Sequence, residues 1–143
     1  MKLTGSWYNE LNSRMRLTVD GGSVTGTYES AGGAAKGVYP LVGRTERSPD
    51  GSQSVAFVVV WDNDVNGNLG CCTAWAGQLH VDARGQESIV ATWLLSGDTV
   101  KEDDWKATKV GQDVFLREAR NATVDLEGIV RAPSHPWHQR GER

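Results

Sequence analysis

The residues able to do chemistry in this chain are few and share one setting. Read with the two-residue period of an extended strand, Asn9 falls on the same face as Trp7 and Leu11, with Ser13 just past the strand's end. In the same way Tyr28 shares a face with Ser30, Thr73 with Trp75, and Asp113 with Phe115. Several strands thus aim a hydroxyl, an amide or a carboxylate into an interior that also takes Trp61, Trp75 and Trp93. Left unpaired there, each such group costs on the order of 1 to 3 kcal/mol, and a charge more. Either the groups satisfy one another, or the alternation slips by one residue and turns every face over, or they form a preformed polar and aromatic pocket for a small ligand. Donors and acceptors on different strands, flanked by these Trp residues, together favour the third reading. A reaction centre is not expected: no histidine falls on an inward face beside a Ser or Cys, and Asp113 has no second carboxylate at matching depth. Binding without catalysis is the expected activity.

These side chains need strands to position them. Period-2 runs bounded by Gly, Asp and Asn suggest eight strands, over residues 5–11, 14–19, 24–29, 38–44, 54–61, 71–81, 87–95 and 108–117. The links between them carry turn chemistry, such as Asp20-Gly21-Gly22-Ser23, Ser48-Pro49-Asp50-Gly51 and Asp82-Ala83-Arg84-Gly85. Short links favour antiparallel neighbours, and eight such strands can close without a bare edge. The expected fold is therefore all-β, an eight-stranded antiparallel up-and-down β-barrel over residues 3–117. A barrel of that size has room inside for side chains or one small ligand. Residues 118–143 read as a flexible C-terminal tail, with a short helix over 124–130.

The strands containing Val55-Ala56-Phe57-Val58-Val59-Val60-Trp61 and Ile89-Val90-Ala91-Thr92-Trp93-Leu94-Leu95 are apolar on both faces. A wall that faced water would be polar outside. These strands therefore predict a homo-oligomer packed through its outer sheet.

Composition narrows the partners. The 143 residues suffice for one domain. Six are Trp, against an average expectation of roughly two. The net charge of −3 argues against nucleic acid or an anionic membrane as a partner. No stretch approaches the roughly 20 apolar residues of a membrane span. The opening residues are patterned from Leu3 onward and leave no room for a signal peptide, so the compartment is not read from them. Cys71 and Cys72 are adjacent and point to opposite faces of a strand, which predicts two free thiols rather than a bond between them. Neither has metal-ligand spacing with a histidine, and no metal site is expected.

At this point the ordered motifs bear a resemblance. Leu3-Thr4-Gly5-Ser6-Trp7-Tyr8-Asn9-Glu10-Leu11-Asn12-Ser13, Gly26-Thr27-Tyr28-Glu29-Ser30, Thr73-Ala74-Trp75-Ala76-Gly77-Gln78, Thr92-Trp93-Leu94-Leu95, Trp105-Lys106 and Val110-Gly111-Gln112-Asp113 occur in sequence. Together they resemble the avidin and streptavidin family of biotin-binding proteins, and the first is especially similar to its tamavidin-like members. The resemblance spans about Leu3 to Arg117. It implies biotin as the ligand, no cofactor, and a role in sequestering the vitamin, with antimicrobial defence as the family's usual purpose. It implies Asn9, Ser13 and Tyr28 on the ureido oxygen, Asp113 and Ser30 on the ureido N–H groups, and Thr73 near the thioether sulfur. It implies Trp61, Trp75 and Trp93 around the rings with Leu11 and Leu95 beside them, and backbone near Ala34 on the carboxylate. Trp105 matches the residue that caps a neighbouring subunit's site, which implies a homotetramer.

Three departures from the family pattern stand out. Cys71 falls where the family often has a Ser reaching the biotin carboxylate, and a thiol is the weaker donor. Residues 31–37 are glycine-rich, so ordering that loop costs more entropy. Lys109 replaces a pocket-edge Leu, either with its apolar stem or by pairing its ammonium with the carboxylate. A lipocalin-like carrier of another apolar ligand is the alternative function; it fits the barrel but not the polar set.

Overall fold

The computed structural model describes residues 2–31, 37–62 and 70–120. Eight strands run in chain order: β1 (Gly5–Tyr8), β2 (Arg14–Asp20), β3 (Ser23–Ser30), β4 (Gly37–Arg47), β5 (Gln53–Val60), β6 (Cys72–Val81), β7 (Glu87–Ser96) and β8 (Thr108–Leu116). Each pairs antiparallel with its neighbours in sequence, and β8 returns to β1, so the sheet closes into a barrel. The expected architecture is the observed one. A 3-10 helix over Lys101–Lys106 separates β7 from β8. The helix expected over residues 124–130, like the rest of the tail from 121, lies outside the described residues.

Turn chemistry sets the register locally. Asp20 pairs with Ser23 across a two-residue turn in which Gly21 and Gly22 take φ of 55° and 89°. That left-handed pair matches the twist of the flanking strands, and only glycine adopts it without steric cost. The β2–β3 register that follows brings Tyr28 opposite Met15 and keeps both inside.

Alternation then sorts the walls. Along β5 the pattern is strict, with Val55, Phe57 and Val59 inside and Ala56, Val58 and Val60 outside. On β6 and β7, Thr73, Trp75 and Leu79 face in, as do Ile89, Ala91, Trp93 and Leu95. The outer apolar residues do not disappear: Val42, Val58, Leu94 and Val110 are all exposed. They rim a shallow concavity of about 670 Å³ on the outer face.

The seam between β1 and β8 is the thinnest part of the wall. β1 is the shortest strand, at four residues. Its ladder to β8 holds the single pair Tyr8↔Leu116, whereas β7 and β8 pair from Ser88↔Leu116 to Ser96↔Thr108. Arg120 reinforces the seam from beyond the last strand. Its Nη1 donates to Tyr8 O at 3.0 Å and its Nη2 to Val114 O at 2.6 Å. Its backbone exchanges two hydrogen bonds with the Asn12 side chain, Arg120 N to Oδ1 at 2.8 Å and Nδ2 to Arg120 O at 2.6 Å. The sequence reading ends the barrel at residue 117, yet Arg120 is buried against it.

Candidate functional site

One end of the barrel gathers the polar residues, and the chain path after β1 determines how they point. The strand stops at Tyr8, and Asn9 Oδ1 accepts the backbone N–H groups of Leu11 (3.1 Å) and Ser13 (3.0 Å). This Asx-type turn is completed by Asn12 at φ 61°. It consumes the amide oxygen of Asn9, so the NH2 end faces the interior, where Nδ2 donates to the Tyr28 hydroxyl at 3.3 Å. The turn also ends the two-residue alternation. Ser13 is carried inside, whereas Leu11 is 38% exposed, which corrects the expectation that Leu11 faces inward with Trp7 and Asn9.

Tyr28 is central to this group. Its hydroxyl contacts the Ser13 side chain as well as Asn9. Complete burial pushes its ionisation well above the usual phenol value, with the nearby Asp113 charge adding to the shift. The hydroxyl therefore keeps its proton and remains a donor. Ser13 Oγ accepts Ala31 N at 3.1 Å, which anchors the end of β3 to the same cluster.

The aromatic walls interlock around these groups. Tyr28 stacks on Trp75 with centroids 5.2 Å apart and meets Trp61 edge-on at 5.6 Å. Phe57 stacks on the same indole, Trp75, at 4.9 Å, and Tyr39 meets Trp61 edge-on at 5.0 Å. Polar handles on the indoles are used as well: Trp61 Nε1 donates to Thr73 Oγ1 at 2.8 Å, and Trp75 Nε1 to Asp113 Oδ2 at 2.9 Å. Trp93 Nε1 is a buried donor without a partner among the described residues.

Asp113 is fully buried, and its Oδ1 has no donor among the described residues. Burial raises its ionisation well above the ordinary carboxyl value, and the charge of Glu10 raises it further. Glu10 is therefore a second carboxyl beside Asp113, half-buried where Asp113 is fully buried, a neighbour that the sequence reading did not expect. The reason is the same turn: Glu10 leaves the strand geometry after Asn9, and its Oε1 accepts Val114 N, next to Asp113 in the chain. Burial raises the ionisation of Glu10 as well. The inward face beside the pair carries no histidine among the described residues, since His80 is exposed.

The chain is similar to known sequences. A model described as the Avidin family matches residues 1–118. Avidin from Gallus gallus is 34% identical over 123 residues, covering 80% of this chain and 77% of its own length. Avidin-related protein 1 from the same species is 33% identical, with 81% and 77% covered. Fibropellin-3 from Strongylocentrotus purpuratus is 33% identical over 80% of this chain but only 20% of its own length.

The chain belongs to the avidin family. Within this avidin-family barrel the remaining expected site residues divide clearly. Ser30, Thr73, Trp61, Trp75, Trp93 and Leu95 are buried with the cluster. Cys71 is buried and Cys72 exposed, both as free thiols, in line with opposite faces. Trp7, buried in the core, donates its Nε1 to Leu3 O at 2.8 Å, and the Arg117 guanidinium lies 3.7 Å from its ring centroid. Ala34 lies outside the described residues, as does the side chain of Trp105, whose backbone belongs to the 3-10 helix. Sequence reasoning missed Tyr39, Phe57, Glu10 and Arg120. Phe57 shares the alternation of β5 and Tyr39 sits opposite Tyr28, so both were legible from register. Arg120 and Glu10 carried no such signal.

Proposed function

We propose that this avidin-family protein binds biotin in the barrel mouth and does no chemistry on it. The observation that carries this reading is the linked set of Asn9, Ser13 and Tyr28 beside Asp113, enclosed by Trp61, Trp75 and Trp93. Three donors directed at one carbonyl oxygen favour its polarised, oxyanion-like form, and charge-assisted bonds are about twice as strong as neutral ones. Asp113 and Ser30 accept the two ureido N–H groups, which reinforces that polarisation across the ring. Thr73 serves the thioether sulfur, Leu95 packs beside the rings, and Leu11 touches the ligand only from the rim. Cys71 and the backbone near Ala34 take the carboxylate end. The biological role in this reading is sequestration of the vitamin, with antimicrobial defence its purpose.

The same proposal includes a homotetramer in which Trp105 of a neighbouring subunit closes the site. The exposed Val42, Val58, Leu94 and Val110 support it, because a contiguous apolar face of this kind is stabilised by a second copy. A barrel unit over residues 3–117 and a tail over 118–143 complete the proposed organisation.

Titration of the full chain with a fluorescent biotin, with and without excess free biotin, tests the reading. Saturation near one ligand per chain, abolished by competitor, is expected. Absence of a competed signal overturns it, and binding of a fatty acid or retinoid in its place favours a lipocalin-like carrier.

A further inference from the structure

The ligand reading gives Asp113 the task of accepting a ureido N–H, and the structure raises a question about the charge available for that task. Each carboxyl of the Glu10 and Asp113 pair has one oxygen satisfied, by Val114 N and Trp75 Nε1 respectively. The other two, Glu10 Oε2 and Asp113 Oδ1, are buried without any N–H or O–H donor among the described residues. The two side chains are within hydrogen-bonding contact of each other.

Arg120 is the nearby cation; its Nη1 and Nη2 each donate to a carbonyl, of Tyr8 and Val114, and its Nε is buried without an acceptor among the described residues. It offers the pair a charge but no hydrogen bond from either terminal nitrogen. Two ionised carboxylates touching in a buried site repel strongly, and each orphan oxygen carries its own desolvation cost. A single proton between them removes both penalties. It also leaves one negative charge opposite one guanidinium, so the buried group is neutral as a whole.

We infer that Glu10 and Asp113 hold one proton between them, and that Glu10 is thereby a positioning residue that tunes Asp113 as an acceptor for the ligand. The inference rests on the biotin reading only for its functional half. Without ligand, Asp113, the more deeply buried of the two, carries the proton and donates it through Oδ1 to Glu10 Oε2. When a ligand N–H is presented to Asp113, the proton passes to Glu10, whose carboxyl then donates back. Asp113 becomes the carboxylate, and no proton leaves the site. Among the described residues, the other charged or titratable groups facing the pair are Arg120, beyond β8, and the neutral Tyr28 on β3.

Glu10→Gln separates this from a merely structural role. A glutamine keeps an oxygen for Val114 N and supplies an N–H to Asp113 Oδ1, which reproduces permanently what protonated Glu10 does. Infrared spectra of the full-length protein at neutral pH are expected to contain a protonated-carboxyl C=O stretch that is missing from E10Q and from D113N. Biotin dissociation from E10Q is expected to stay within about twofold of wild type at neutral pH and to be less accelerated by acid. Dissociation from E10A is expected to be roughly tenfold faster, the loss of one hydrogen bond. A wild-type spectrum with no such stretch, or one unchanged by E10Q, overturns the inference; so does an E10Q acid profile identical to wild type. Competed biotin binding without the stretch removes the shared proton and leaves the ligand reading intact. The stretch without biotin binding supports the shared proton and overturns the ligand reading.

Discussion

Trp75 Nε1 donates to Asp113 Oδ2 at 2.9 Å, spanning from β6 to β8 over the intervening β7. An indole of the buried aromatic cluster therefore also orients the buried carboxyl. Phe57 and Tyr28 hold the ring of Trp75 in place by stacking at 4.9 and 5.2 Å. The direction of the carboxyl is thus set by aromatic packing from β3 and β5.

Trp75→Phe keeps most of the stacking surface and deletes this donor, leaving a second oxygen of Asp113 unsatisfied. A loss of about 1 to 3 kcal/mol in unfolding free energy is expected, the cost of leaving a buried acceptor unsatisfied. Urea denaturation followed by circular dichroism measures it. Biotin retention should weaken in the same variant, and wild-type values for both would show that the bond orients nothing.

Arg120→Ala is expected to cost about 3 kcal/mol, because the seam between β1 and β8 loses two carbonyl contacts and the buried carboxyls lose their counter-charge. Arg120→Lys should recover little of this, since an ammonium cannot reach both Tyr8 O and Val114 O with the guanidinium's fixed fork. Thermal unfolding of the three proteins side by side gives the answer. Equal midpoints would mean that the single Tyr8↔Leu116 pair closes the barrel unaided.

The carboxyl pair predicts an unusual pH dependence. Asp113 is raised above its ordinary 3.8 chiefly by burial and then by Glu10, and Glu10 above its ordinary 4.5 chiefly by burial. The folded state therefore holds protons that the unfolded chain has released. Stability from this source is fully present below 3.8 and is lost as pH rises through the raised folded values. Glu10→Gln removes one titrating group and the charge that raises the other. Relative to E10Q, wild type should lose stability as pH increases from acid toward neutral, the reverse of ordinary acid denaturation. Urea midpoints of both proteins across that interval test the sign, and a constant difference would contradict it.

The outer face makes a separate prediction. Val110→Arg places a charge amid Val42, Val58 and Leu94 without entering the barrel, since Val110 is 61% exposed in the single chain. Light scattering should show a smaller assembly than wild type, with the β-sheet circular dichroism unchanged. An unaltered mass would mean that the subunits associate through another surface.

Much of this was legible in the residues alone. Period-2 runs separated by turn chemistry determined the eight strands and their antiparallel order, because alternation and short links leave a closed meander as the solution without bare edges. Inward parity likewise identified Tyr28, Thr73, Trp75, Trp93 and Asp113, each inside a regular strand. The reading failed where the strand stopped. At Asn9 a side-chain oxygen captures two backbone N–H groups, and from there position parity carries no information about which way a residue points. Leu11 turns outward and Ser13 inward for that reason. Only barrel closure decided the rest. Glu10 meets Val114 across 104 residues, and Arg120 meets Tyr8 across 112. Contacts at that separation have no local signature, so the carboxyl pair and the clasp on the β1–β8 seam exist only in the folded chain.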